Sequence, residues 1–169
     1  MLIYWTNNQL HKMNDQQQLL VSELEKLLNE GTAHVGLSDA IAGLPKNLRG
    51  VQPHNLPYSI WQLVEHIRIA QWDMLQFSKN VKHQSPDWPE GFWPKEAEPA
   101  DEESWNNSVT QIKNDLQEFT NLVKSEDLYQ QIPGGDGQTI FREALQIADH
   151  NAYHVAEIII LRRLMNAWK

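Results

Sequence analysis

Apolar residues recur every three or four positions in four stretches of the chain, and each stretch predicts an amphipathic helix. In the first, Leu10, Met13, Leu20, Leu24 and Leu27 form a stripe with one polar break at Gln17, and Gly31 marks its end. The second opens after Pro57. Ser59 and Gln62 have the Ser-x-x-Gln spacing of a capping box, and Ile60, Leu63, Ile67, Ala70 and Met74 continue one face. The third starts near Asp101, where Glu102 and Glu103 add two more acids to a first turn that suits the helix dipole. It continues through Trp105, Val109, Ile112, Leu116, Phe119 and Val123. The fourth follows Gly134-Gly135-Asp136-Gly137, best read as a turn, and runs from about Thr139 to near Ala167. Its inner face reads Ile140, Ala144, Ile147, then His150, Asn151 and His154, then Ile158, Leu161 and Met165. Period-two alternation and hairpin dipeptides are nearly absent, so strands are not expected. The pattern predicts an all-α protein, a four-helix bundle in one domain over residues 1–169.

The predicted helices are joined by two long connections. Residues 31–58 exceed a simple hairpin and contain Ser38-Asp39-Ala40-Ile41-Ala42-Gly43-Leu44-Pro45, read as a short extra helix. Residues 80–100 hold Pro86, Trp88, Pro89, Phe92, Trp93, Pro94 and Pro99. Loops this long inside a compact domain are usually functional or crossovers. Two roles are open for the tryptophans: sealing one end of the bundle, the usual use of aromatics, or forming a lid or wall beside a pocket.

Composition narrows the function. An apolar share of 41% and a charged share of 21% describe an ordinary globule. The net charge of -8, without a basic patch, excludes the electrostatic footprint of a nucleic-acid binder. No apolar run is long enough to span a membrane, and Met1-Leu2-Ile3-Tyr4-Trp5 lacks the basic flank and apolar core of a signal peptide. With no cysteine there is no disulfide, thiolate ligand or cysteine nucleophile, which fits a cytoplasmic location.

The candidate chemistry lies in three histidines. His150 and His154, spaced i, i+4, project from one helix face one turn apart, and two imidazoles there can share one divalent ion. They interrupt the apolar stripe of the fourth helix, and His66 interrupts the second in the same way, between Leu63 and Ala70. Buried imidazoles need polar partners, because an unpaired buried polar group costs about 1–3 kcal/mol. One metal would satisfy all three, and three neutral imidazoles with a vacant fourth position suit a catalytic rather than a structural site. A ligating histidine passes its other N–H to a carboxylate or carbonyl. Glu157, three positions after His154, and Asp73, seven after His66, are placed for this, while Asp149 and Glu65 are expected to point sideways. Asp73, Tyr153 and Glu157 are candidates for moving a proton. Asn151 stands where a His-Glu-x-x-His protease has its glutamate, so that chemistry is excluded.

Trp61-Gln62-Leu63-Val64-Glu65-His66-Ile67, with Asp149-His150-Asn151-Ala152-Tyr153-His154 on the last helix, resembles the DinB-like superfamily of metalloenzymes. So do His34-Val35-Gly36-Leu37, Trp88-Pro89-Glu90-Gly91 and Gly135-Asp136-Gly137-Gln138-Thr139, and the resemblance covers nearly the whole chain. It implies a four-helix bundle, often a homodimer, with a divalent metal, commonly zinc or nickel, held by His66, His150 and His154. It also implies a small-molecule substrate. Some relatives are S-transferases using low-molecular-weight thiols, and others are isomerases or hydrolases. The family name implies neither a polymerase nor DNA binding. The expected function is therefore a metal-dependent hydrolase-like or thiol S-transferase-like enzyme, with a non-catalytic metal-binding or interaction module as the alternative.

Overall fold

The computed structural model describes the backbone of residues 2–29 and 33–168, and side chains from residue 15 onward within those ranges. It is all-helical. Four long helices, α1 (Leu2–Asn29), α3 (Ile60–Lys79), α4 (Glu102–Ser125) and α5 (Ile140–Leu164), are accompanied by one short helix, α2 (Leu37–Ile41). Among the described residues the only β pairing is an isolated bridge, Gln131 to Thr139, that closes the glycine turn before α5.

The helix starts follow the expected chemistry. Ser59 caps α3 by accepting from the Gln62 amide, and the Gln62 side chain returns the bond to the Ser59 N–H. Asp101 accepts from the Ser104 amide at the start of α4, and Thr139 accepts from the Arg142 amide at the start of α5. Helix α5 ends at Leu164, short of Ala167, and Asn166 adopts a left-handed φ of 54° beyond it. The expected stripe of α1 holds at Leu20 and Leu24, and only its last member differs. Leu24 and Leu28 are buried, whereas Leu27 is 42% exposed. The side chains of Leu10 and Met13, and the stop at Gly31, lie outside the described residues.

Side-chain pairs give the helix directions. Gln71 with the Ile112 carbonyl and Lys79 with Glu118 advance together, so α3 and α4 run the same way. Asn29 bonds Thr120 while Lys124 bonds Glu25, so α1 runs against α4. The N-terminal part of α3 packs on the C-terminal part of α5, which makes that pair antiparallel. Two neighbouring parallel helices cannot be joined by a tight turn, so the chain after α3 must travel back along it. It does so as the Trp- and Pro-rich connection. Ser59 Oγ donates to the Ala97 carbonyl at 2.5 Å and Gln62 Nε2 to the Pro94 carbonyl at 3.3 Å. The length of that connection is a geometric requirement, and it brings the aromatic residues alongside α3.

The core has two apolar clusters. One gathers Ile60, Leu63, Val64, Ile67, Trp105, Val155 and Ile158, and the other Leu24, Leu75, Phe119, Val123, Leu128, Ile140 and Ile147. Polar side chains on α3 and α5 interrupt the apolar stripes between them. Gln71 is fully buried, donates to the Ile112 carbonyl at 2.6 Å, and accepts from Asn151 Nδ2 at 2.9 Å. Each such bond inside the core is strengthened by its surroundings, and its loss leaves an expensive orphan. The three histidines lie on the same stretches of α3 and α5.

Candidate metal centre and its cavity

His66 on α3 and His150 and His154 on α5 converge. Their ring centroids lie 4.5–4.9 Å apart. One nitrogen from each falls within 4.8 Å of the other two, the sole such grouping of histidine, cysteine or acidic ligand atoms among the described residues. His66 Nε2 and His150 Nε2 are 3.0 Å apart. Two nitrogens each about 2.0–2.1 Å from a tetrahedral ion stand roughly 3.3 Å apart, so small side-chain shifts suffice to seat one.

The tautomers favour the same use. His66 Nδ1–H donates to the Phe92 carbonyl at 2.9 Å, and His154 Nδ1–H donates to Glu157 Oε2 at 2.7 Å. Both bonds leave the Nε2 lone pair free, and a carbonyl or carboxylate behind the ring is the usual support of a metal-bound histidine. His150 Nδ1 and Asn151 Oδ1 are buried without a hydrogen-bond partner. Moving the His150 proton from Nε2 to Nδ1 therefore breaks no bond except the one to His66. The donor set and the orphaned nitrogen both fit a divalent ion.

Electrostatics keeps the imidazoles neutral. Burial, then the neighbouring His154 and His66 rings, push His150 down to about 4. Burial and His66 push His154 down to about 4, and burial likewise lowers His66. An unfolded histidine, near 6.5, takes up a proton well before the folded pair does. Below about 6.5 the unfolded chain thus binds more protons, and stability rises with pH there. Metal-free protein should lose on the order of a few kcal/mol as pH falls from about 6.5 to 4. Urea midpoints measured across that range check this, and a flat profile contradicts it.

The aromatic connection forms part of the site. Trp93 lies flat on His66, with centroids 3.8 Å apart and planes 3° from parallel, and Tyr58 stacks on it at 3.9 Å and 10°. His66 is thereby fixed by a ring against its face and by the Phe92 carbonyl at its edge. The tryptophans combine the two roles open to them, since Trp93 packs against the core and also faces a pocket. Trp88, Phe92 and Trp93 line a cavity of about 520 Å³ that His66, His150 and His154 also face. A groove of about 550 Å³ elsewhere, lined by Leu27, Leu37, Val109 and Asp149 among others, gathers no comparable cluster.

The sequence-derived proton carriers separate. Glu157 holds His154, and burial raises its pKa. Asp73 lines the cavity without bonding His66. It accepts from His83 Nε2 at 2.6 Å instead. Tyr153 is mostly exposed, with its ring edge-on to His154 at 5.0 Å. Glu65 is held by Arg68 through two bonds of 2.8 Å, and Asp149 lines the other groove. Sequence reasoning missed Glu143. It is 4% exposed, faces the cavity, and has its pKa raised by burial, countered by Arg142 and reinforced by Asp73. Its place two helical turns before His150 was the available signal. The contributions of Phe92 and Trp93 leave none, because they depend on how the connection lies on α3.

Fold and site define an all-helical protein in which two helices present three neutral histidines, suitably disposed for a metal ion, to an aromatic-walled cavity. The chain belongs to the DinB superfamily, whose family model matches residues 32–158, a span that includes all three histidines. No curated protein and no solved structure gives a match.

Proposed function

We propose that the protein is a divalent-metal-dependent enzyme built on a DinB-type four-helix bundle, with His66, His150 and His154 as the ligands and zinc or nickel as the ion. The observation that carries this reading is the shared direction of the imidazoles. Two have Nδ1 tied to oxygen acceptors, all three are neutral, and all face one cavity. Three protein ligands leave a coordination position open toward that cavity. A bound ion supplies Lewis-acid chemistry there, lowering the pKa of a water or a substrate thiol. The reaction class is thus attack by water or by a low-molecular-weight thiol on a small molecule.

The chain's own groups supply the rest. Glu157 accepts from His154 Nδ1–H at Oε2 and so holds the ring with its Nε2 free toward the other histidines. Trp93 and Phe92 screen one side of the cluster from water. The open cavity favours catalysis over a purely structural role. In a structural site, metal removal unfolds the protein. Here each long helix buries its own apolar face, so chelation should leave most helical circular dichroism intact. The melting temperature should still drop, because an ion that binds only the native state stabilises it. Collapse of the helical signal on chelation would overturn the catalytic reading.

Elemental analysis of untagged protein, followed by thiol-conjugation and ester-hydrolysis assays with and without metal, tests the function. About one ion per chain is expected, with a metal-dependent rate in one of the assays. Protein that takes up no divalent ion on dialysis would refute the proposal.

A further inference from the structure

The cavity has a second pole. Asp73 and Glu143 line it on α3 and α5, each seven residues from a histidine of the cluster, His66 and His150 respectively. Because α3 and α5 are antiparallel, the two acids share one level, about 10 Å along the helices from the histidines. Glu143 has no hydrogen-bond or ion-pair partner among the described residues, although only 4% of it is exposed. Gln138 lines the same cavity, but its Oε1 is closed off against Gly135. Asp73 takes one bond, from His83. Apart from His83, the cations and donors nearby do not answer these groups: the Arg142 side chain is exposed to solvent, and Ser85 and Gln146 lie on the exposed rim. Phe77 and Trp88 add aromatic walls.

Two carboxyls, one of them buried and unpartnered, beside aromatic rings make a site in which His83 answers Asp73 and no cation answers Glu143. A buried carboxylate is costly unless paired, and an ammonium supplies both the charge and the missing donors, with ring faces adding to its attraction. A second metal ion fits poorly. Apart from the three histidines, no group of ligand atoms among the described residues is close enough to share one.

We propose that Asp73 and Glu143 bind the ammonium group of a small amine-bearing substrate whose reactive end reaches the histidine cluster. The second half of this statement rests on the metal-dependent reading above. The first half does not.

The test uses two probes of equal length at pH 7, 1-hexylamine and 1-hexanol, titrated calorimetrically into the protein as purified. Wild type should bind the amine at least about tenfold more tightly, as expected for a charged donor meeting buried acceptors. Glu143→Gln and Asp73→Asn should each reduce that preference to within about twofold, and if one variant fails to fold by circular dichroism the other decides. His150→Ala should keep the preference, which shows that the amine is not sitting on a metal ion. Equal affinities in wild type, a preference unchanged in the folded carboxyl variants, or its loss in His150→Ala would each overturn the proposal. Metal content measured on the same samples separates the two readings. Full metal with no amine preference defeats only this inference, and an amine preference in wild type that takes up no divalent ion on dialysis defeats only the metal-dependent one.

Discussion

His150→Ala should yield folded protein that carries almost no divalent ion, against about one per chain in wild type. The substitution removes the ligand whose Nε2 lies 3.0 Å from His66 Nε2. An open site has no spare protein donor to replace it. The folding cost should be small, because His150 Nδ1 is already buried without a partner and its charged form is strongly disfavoured. Metal-free His150→Ala should therefore melt close to metal-free wild type, while the metal-loaded proteins differ widely. Elemental analysis with paired thermal melts measures both quantities. Full metal content in His150→Ala and His154→Ala alike would exclude the three-histidine centre.

Trp93→Ala should cost about 3 kcal/mol, the lower part of the usual range for losing a large aromatic because the ring is only partly buried. For a chain of this size that lowers the melting temperature by roughly 6–12 °C. The ring sits between Tyr58 and His66, so both lose a stacking partner. Metal should still bind, since Trp93 donates no ligand, but about 10–100-fold more weakly, as when an orienting group behind a ligand is removed. Competition with a fluorescent chelator reads the affinity directly. Unchanged affinity together with the predicted melting loss would assign Trp93 to packing alone.

The site was partly legible because helices impose a local rule. A spacing of four puts His150 and His154 on one face whatever the rest of the chain does. Their position inside an apolar stripe marked them as buried, and His66 in the matching stripe marked a partner. Glu157 was readable for the same reason, at i+3 from His154, and it does hold that ring. Asp73 satisfied the same periodic rule for His66, yet the Phe92 carbonyl supports His66, and Asp73 binds His83. A carbonyl oxygen belongs to every residue and carries no signature in the sequence, so its use is invisible until the backbone is placed.

The capping pairs, helix periodicity and apolar stripes, all set by contacts within a few residues, determined the all-α character, the starts of α3, α4 and α5, and the histidine face. The tertiary structure alone decided what those faces meet. That α3 and α4 run parallel forces residues 80–101 back along α3 and lays Trp93 on His66. That α3 and α5 run antiparallel puts Glu143 level with Asp73 across one cavity. Such pairings depend on helix direction and on the path of a long connection. Both are fixed by packing among residues far apart in the chain, and periodicity holds no record of either.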